Sequence, residues 1–452
     1  MAEPSIWLPL LEDLSNQGLA SISVANNGAT ISSDGKIGSC YTFDGTDDYM
    51  LVDSVDGSAS EITFCCWFSP LSGFTSAHLM DARASSGVGY QPMYVTASSI
   101  QVGGSSTAYP YFYTTFTAGE WYHIAVVYSS FACTLYVNGA AIGESTQSMA
   151  YAYNQDLPLT IASRYNNSSH LKCSINDVRV YYSALSAKEV REIAQGLVLH
   201  FPLDNNALGT SEAMMATVYD CSGYHHDGTC IDAPVAQTAT ARHVSSTYLD
   251  GINDGISIMG VNLNPVINGS HTICFWIKSE SGSTAPASVD YSGIAPYSES
   301  SVGSGLKLYW EGEAGDWHHV AVVCSGLTSV SSYYDGELRQ SATVSRTPTT
   351  FSNNWRIGLG ASLSDEDPYN GLISDFRIYA TALLADDIKY LYEVGASVDN
   401  KQNFHTYDYV EEGETTAKIL KTGATKSTEF TEAEAAAIYD DGDISALHFI
   451  EL

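Results

Sequence analysis

Three consecutive carboxylates, Asp365, Glu366 and Asp367, form the first group in this chain whose types and spacing could do chemistry. Side-chain oxygens gathered on one loop suit calcium, which takes roughly six to eight oxygen donors in irregular geometry. In so acidic a chain a solvated loop is the competing reading, and we expect no obligatory cofactor. The second group is Tyr224, His225, His226 and Asp227, an aromatic ring, two imidazoles and a carboxylate suited to contacting a polar ligand. His318 and His319 invite a metal reading, but neighbours on a strand point to opposite faces and cannot both reach one ion. Asp177 and Asp375 each precede an arginine by two residues, Arg179 and Arg377. Two such positions share a strand face, so each pair reads as a charge and hydrogen-bond device inside its own domain. The sequence shows no close-spaced glycosidase carboxylates, Gly-x-Ser-x-Gly elbow, phosphate loop or His-Glu-x-x-His, so we assign no catalytic residue.

The elements that must position these groups occur twice. Trp121-Tyr-His-Ile-Ala-Val-Val127 returns as Trp317-His-His-Val-Ala-Val-Val323. Phe43-Asp-Gly45 matches Leu249-Asp-Gly251, and Thr63-Phe-Cys-Cys-Trp67 matches Thr272-Ile-Cys-Phe-Trp276. Tyr136-Val-Asn-Gly139 matches Tyr334-Asp-Gly336, and Ile175-Asn-Asp-Val-Arg-Val-Tyr181 matches Ile373-Ser-Asp-Phe-Arg-Ile-Tyr379. An offset of roughly 200 residues is too long for a solenoid and fits a duplicated domain. Short alternating runs separated by Gly, Asn and Asp predict antiparallel sandwiches. A short helix should close each copy, the first with a cap at Ser186. We therefore expect an all-β chain: a jelly-roll sandwich over 1–195, a second over 196–395, and a small α+β docking or assembly module over 396–452. Trp67, Trp121, Trp276 and Trp317 should be largely buried. If either sandwich binds a ligand, it should be the second, whose 224–227 and 365–367 loops exceed the shared pattern.

Composition narrows the partners. Nineteen Lys and Arg against fifty-one Asp and Glu give a net charge of -32, which repels phosphate backbones and anionic membranes. Neither nucleic-acid binding nor membrane insertion is expected, and no apolar run approaches the ~20 residues of a membrane span. The start lacks the pattern of a signal peptide. The nine cysteines share no framework between the copies and read as reduced thiols.

The ordered landmarks resemble the laminin-G-like, concanavalin-A-like jelly-roll family, in particular its phage virion branch. Leu199-His-Phe-Pro-Leu-Asp204 and Asp220-Cys-Ser-Gly-Tyr-His-His-Asp-Gly228 are similar to the family's first strand and following loop. The first copy departs there, with Trp7-Leu-Pro-Leu-Leu-Glu12 in that place. The closing segment Ala437 to Glu451 is similar to the ends of phage virion proteins. The resemblance implies a non-enzymatic, lectin-like protein assembled into virions in the host cytoplasm. Its partners would be a host-surface glycan, other virion proteins through the C-terminal module, and copies of itself. The alternative is a structural decoration or connector protein whose sandwiches make only protein contacts.

Overall fold

Alternation of side chains along single strands decides how the first sandwich is built. In the strand Ile62–Pro70, Phe64, Cys66 and Phe68 turn into the core, while Cys65 and Trp67 turn outward into other clusters, as a period of two requires. That strand lies inside sheet A, ordered Ala140–Ser145, Ala132–Val137, Tyr122–Ser129, Ile62–Pro70, Lys172–Tyr181, Cys40–Asp44 and Thr30–Ser32. Ile6–Leu8 also pairs with Lys172–Tyr181. Sheet B runs Tyr111–Tyr113, Ser99–Gly103, Val88–Val95, Ala77–Ser85, Leu157–Ile161, Tyr49–Val55 and Val24–Asn27. Phe43, Phe64, Leu79, Met93 and Ile161 are among the residues that fill the space between them, each full burial contributing about 1.5–3 kcal/mol.

These statements come from a computed structural model, which describes residues 3–11, 13–85, 88–103, 110–129, 132–145, 156–203, 217–232, 234–237, 246–259, 261–279, 316–343, 354–358, 369–400, 405–408, 416–421 and 428–431. The second sandwich repeats sheet A strand for strand. Sheet C runs Val235–Gln237, Ser246–Asp250, Asn370–Tyr379, His271–Ser279, His318–Ser325, Ser329–Tyr334 and Glu337–Thr343, with Leu197–Phe201 on Asn370–Tyr379. The strands after Trp121 and Trp317 therefore hold equivalent places. Facing it, sheet D comprises Thr217–Val218, Gly228–Ile231, Gly255–Met259 and Asn354–Ile357 among the described residues. The fold is all-β, two tandem jelly-roll sandwiches followed by a smaller C-terminal part.

Turn chemistry repeats as well. Asn138-Gly139 and Asp335-Gly336 all have positive φ, 49 and 78°, then 50 and 78°, as a two-residue hairpin turn demands. Helix α1, Ala187–Ala194, begins in a capping box between Ser186 and Glu189 and lays Val190 and Ile193 over Cys65, Ala125 and Val127 on the outer face of sheet A. Helix α2 is the short Asn264–Asn268. Helix α3, Ala385–Asn400, sets Ile388 over Cys274, Ala321 and Val323 of sheet C. It runs past residue 395, so it crosses the expected limit of the second sandwich. Beyond it His405–Asp408, Thr416–Lys421 and Thr428–Thr431 form a three-stranded sheet. Residues 432–452, the last part of the expected docking module, lie outside the described residues.

One expectation about packing is corrected. Trp67 and Trp276 are buried, but Trp121 and Trp317 are only half-buried. The strands begin at Tyr122 and His318, so both indoles stand at a strand mouth instead of in a core. All nine cysteines are free thiols. No helix among the described residues is long and apolar enough to cross a membrane.

Candidate functional site

The Asp365, Glu366 and Asp367 loop lies outside the described residues. Among the described residues, Asp44, Asp47 and Asp48 bring carboxylate oxygens within 4.8 Å of one another. Two of these carboxylates cap their own turn, Asp44 Oδ1 accepting from the Thr46 N–H and Asp48 Oδ2 from the Asp44 N–H.

Within the 224–227 group Tyr224 and His226 are turned toward the protein, and Asp227 is exposed. Tyr224 is buried edge-on against Trp7 of the first sandwich, ring centroids 5.3 Å apart, and its hydroxyl accepts from Arg179 Nη2 at 3.2 Å. Burial pushes the Tyr224 hydroxyl well above the usual phenol range. His226 Nδ1 meets the Val198 carbonyl at 3.0 Å, and Asp227 accepts the Asp220 N–H. His225 is exposed and takes a positive φ of 57°. The loop thus closes the seam between the sandwiches. Gly223 beside it has φ +91°, and a Cβ there would strike the Trp7 indole.

Asp177 and Asp375 anchor matching hubs on the two outer faces. Both have positive φ, 54 and 53°, at β-bulges where the register shifts. The bulge, more than plain two-residue alternation, lets each carboxylate meet its arginine. Asp177 Oδ1 accepts from Arg179 Nε at 2.9 Å and Trp7 Nε1 at 2.6 Å; Asp375 Oδ1 accepts from Arg377 Nε and His200 Nε2, both at 2.8 Å. Trp7 therefore stands where the second copy has His200, and Leu10 and Leu203 share a φ of 56° after matching prolines. Burial raises the Asp375 carboxyl, but Arg377 and His200 outweigh it and hold the group well below the usual carboxylate range. The expected intradomain pair is present twice. In the first copy it also reaches across the seam to Tyr224.

A constellation absent from the sequence-based expectations occupies the outer face of sheet B. Register pairs Tyr111 with Gln101, Gln101 with Tyr94, and Tyr94 with His78. Phe112, Ile100, Val95 and Ala77, next along their strands, are in the core, so the four paired side chains share the outward face. At the usual strand spacing the row spans roughly 14 Å. Tyr111 is 54% and its neighbour Tyr113 80% exposed, Tyr94 is half-buried, and His78 is buried.

At its inner end the row stands on a buried polar network. Arg83 donates to both oxygens of Asp81, Nε to Oδ1 and Nη2 to Oδ2, each at 2.6 Å. His78 Nε2 lies 3.1 Å from Arg83 Nη2 and 3.3 Å from Gln91 Oε1. Burial lowers His78 to about 4, so its ring is neutral at pH 7. The loop after Leu157–Ile161 covers the network, the Tyr165 N–H donating to Asp81 Oδ2 and the ring lying under the Arg83 and Arg164 guanidiniums at 5.1 and 5.3 Å. Exposed aromatic faces and an amide on one sheet can stack on and hydrogen-bond a polar ring compound.

Among solved structures, the chain is similar to domain 4 of AbnA, an extracellular arabinanase from Geobacillus stearothermophilus solved with arabinotriose. Identity is 19% over 44% of this chain and 98% of that one, with a TM-score of 0.32. It is also similar to an SAP-like pentraxin from Limulus polyphemus, at 16% identity over 34% and 80%, TM-score 0.30. A third is the binding domain of botulinum neurotoxin serotype D, at 10% identity over 80% and 98%, TM-score 0.37. No curated protein matches the chain in sequence. Residues 44–191 and 250–389, more than half the chain, match the Laminin_G_3 family model; with both sandwiches so matched, the chain belongs to the concanavalin A-like lectin/glucanases superfamily.

Proposed function

We propose that this is a non-enzymatic phage virion protein whose first sandwich holds a host-surface glycan across the outer face of sheet B. The carrying observation is the in-register row Tyr111, Gln101, Tyr94 and His78, flanked by the exposed Tyr113. A Tyr ring gives a sugar an apolar face to stack on, while the Gln101 amide supplies both donors and an acceptor for hydroxyls. Asp81 is a poor general acid or base, because both its oxygens are taken by Arg83. The virion setting is supported by the resemblance of the repeated landmarks and of the closing segment.

Two experiments test this reading. Tyr111→Ala combined with Tyr113→Ala should weaken binding of the full chain to host cells or a glycan array by about tenfold or more. The unfolding midpoint should not move, since both rings are exposed. Unchanged binding would remove the platform. Deleting 401–452 should leave both sandwiches folded and abolish incorporation into particles, read by mass spectrometry of purified virions. A truncated chain that still assembles would place attachment on the sandwiches, as in the decoration or connector reading.

A further inference from the structure

Arg164 is unlike the other described arginines of the first sandwich. Arg83 is bound to Asp81, Arg179 to Asp177, and Arg191 to Asp387 at 2.5 Å. Arg164 has no carboxylate within ion-pair distance among the described residues, and its Nε has no hydrogen-bond partner. Its backbone is fixed, the N–H donating to the Ser168 carbonyl and the carbonyl accepting from the Asn167 N–H. The guanidinium rests on the Tyr165 ring, itself tied to Asp81. Its charge also acts on His78, the inner end of the row. Among the described residues, the structure thus holds a planar cation at the edge of the platform with no carboxylate partner and with a buried Nε that nothing accepts from.

Local charge, not the net charge, decides what such a cation attracts. Exposed charges are screened over about 8 Å at physiological salt, so the carboxylates elsewhere in this acidic chain act weakly at the platform. Arg83 and Asp81 cancel, and Arg164 adds a cation with no carboxylate partner among the described residues. A guanidinium fork matches a carboxylate bidentately. The geometry points to an acidic glycan, one whose sugar carries a carboxylate received by Arg164 while the neutral part of the chain lies along Tyr94, Gln101 and Tyr111. This rests on the reading of sheet B as a glycan platform.

The test is a glycan array on which each uronic or sialic acid oligosaccharide stands beside its neutral counterpart, probed with the full chain. Acidic members should outbind their neutral partners by about tenfold to a hundredfold, the range of a charge-assisted hydrogen bond. That preference should shrink in high salt, vanish in Arg164→Gln and survive in part in Arg164→Lys. Neutral binding should stay unchanged in all three proteins. Equal binding of both members, or a preference that survives Arg164→Gln, overturns the acidic-ligand inference and leaves the platform standing. No binding to any member overturns the platform itself, and the inference with it.

Discussion

Lowering the pH from 7 to 4 is expected to take roughly 6 kcal/mol from the stability of the first sandwich, about 3 from each of two histidines. Burial holds His78 at about 4 and His123 at about 3, against an ordinary value of 6.5. In the unfolded chain both rings bind a proton below pH 6.5; in the folded chain they stay neutral until the pH reaches their depressed values. The unfolded state therefore takes up more protons as pH falls. Stability is complete above pH 6.5 and lost progressively down to those lower values, with the slope set by the proton difference. A domain of this size has only about 5–15 kcal/mol in hand, so acid alone should bring it near unfolding. Urea midpoints at pH 7.5, 6.5, 5.5 and 4.5 read the effect. His123→Leu should flatten about half of the slope, and an unchanged midpoint across the window would show that the rings are not held neutral.

Arg83→Met should destabilise the same sandwich by about 3–5 kcal/mol at neutral pH, because it strands a fully buried carboxylate. Asp81 is 0% and Arg83 4% exposed at the side chain. Removing both charges is a different matter. Asp81→Leu with Arg83→Met should recover much of the loss, since a buried ion pair is often no more stable than well-packed apolar residues. Urea unfolding of the two single variants and the double variant closes the cycle. If Arg83→Met costs less than about 1 kcal/mol, the carboxylate is not isolated from water and the network is not a rigid base for the row.

The parts legible in the sequence are those fixed by local periodicity. Thr63 to Trp67 and Thr272 to Trp276 announce themselves as strands, and their repetition marks the equivalent sheet positions. Ser186 and Glu189 announce a helix start. The platform is different, because Tyr111, Gln101, Tyr94 and His78 come from four strands whose pairing includes several register shifts. A one-residue slip would send each side chain to the other face, and no short-range pattern reports the register. The only linear signals were the aromatic run Tyr109 to Tyr113 and the spacing of His78, Asp81 and Arg83. Tyr224 illustrates the converse. Its loop looked surplus because its partner, Trp7, belongs to the preceding sandwich.

The seam also bears on how many sandwiches such a chain can hold. On the first sandwich, helix α1 stops at Ala194 and Gly196 turns the chain beside Trp67, so the following domain lies over that indole. On the second, α3 continues, and Tyr392 stacks on Trp276 at 5.7 Å. Extra helical turns thus cover the place that the next sandwich would need. Helix length becomes a counting device: a short helix leaves the surface open for another module of the series, and a long one terminates it. Shortening α3 to the length of α1 would restore an acceptor surface, so an array of these sandwiches could be lengthened by editing one helix and leaving every sheet untouched.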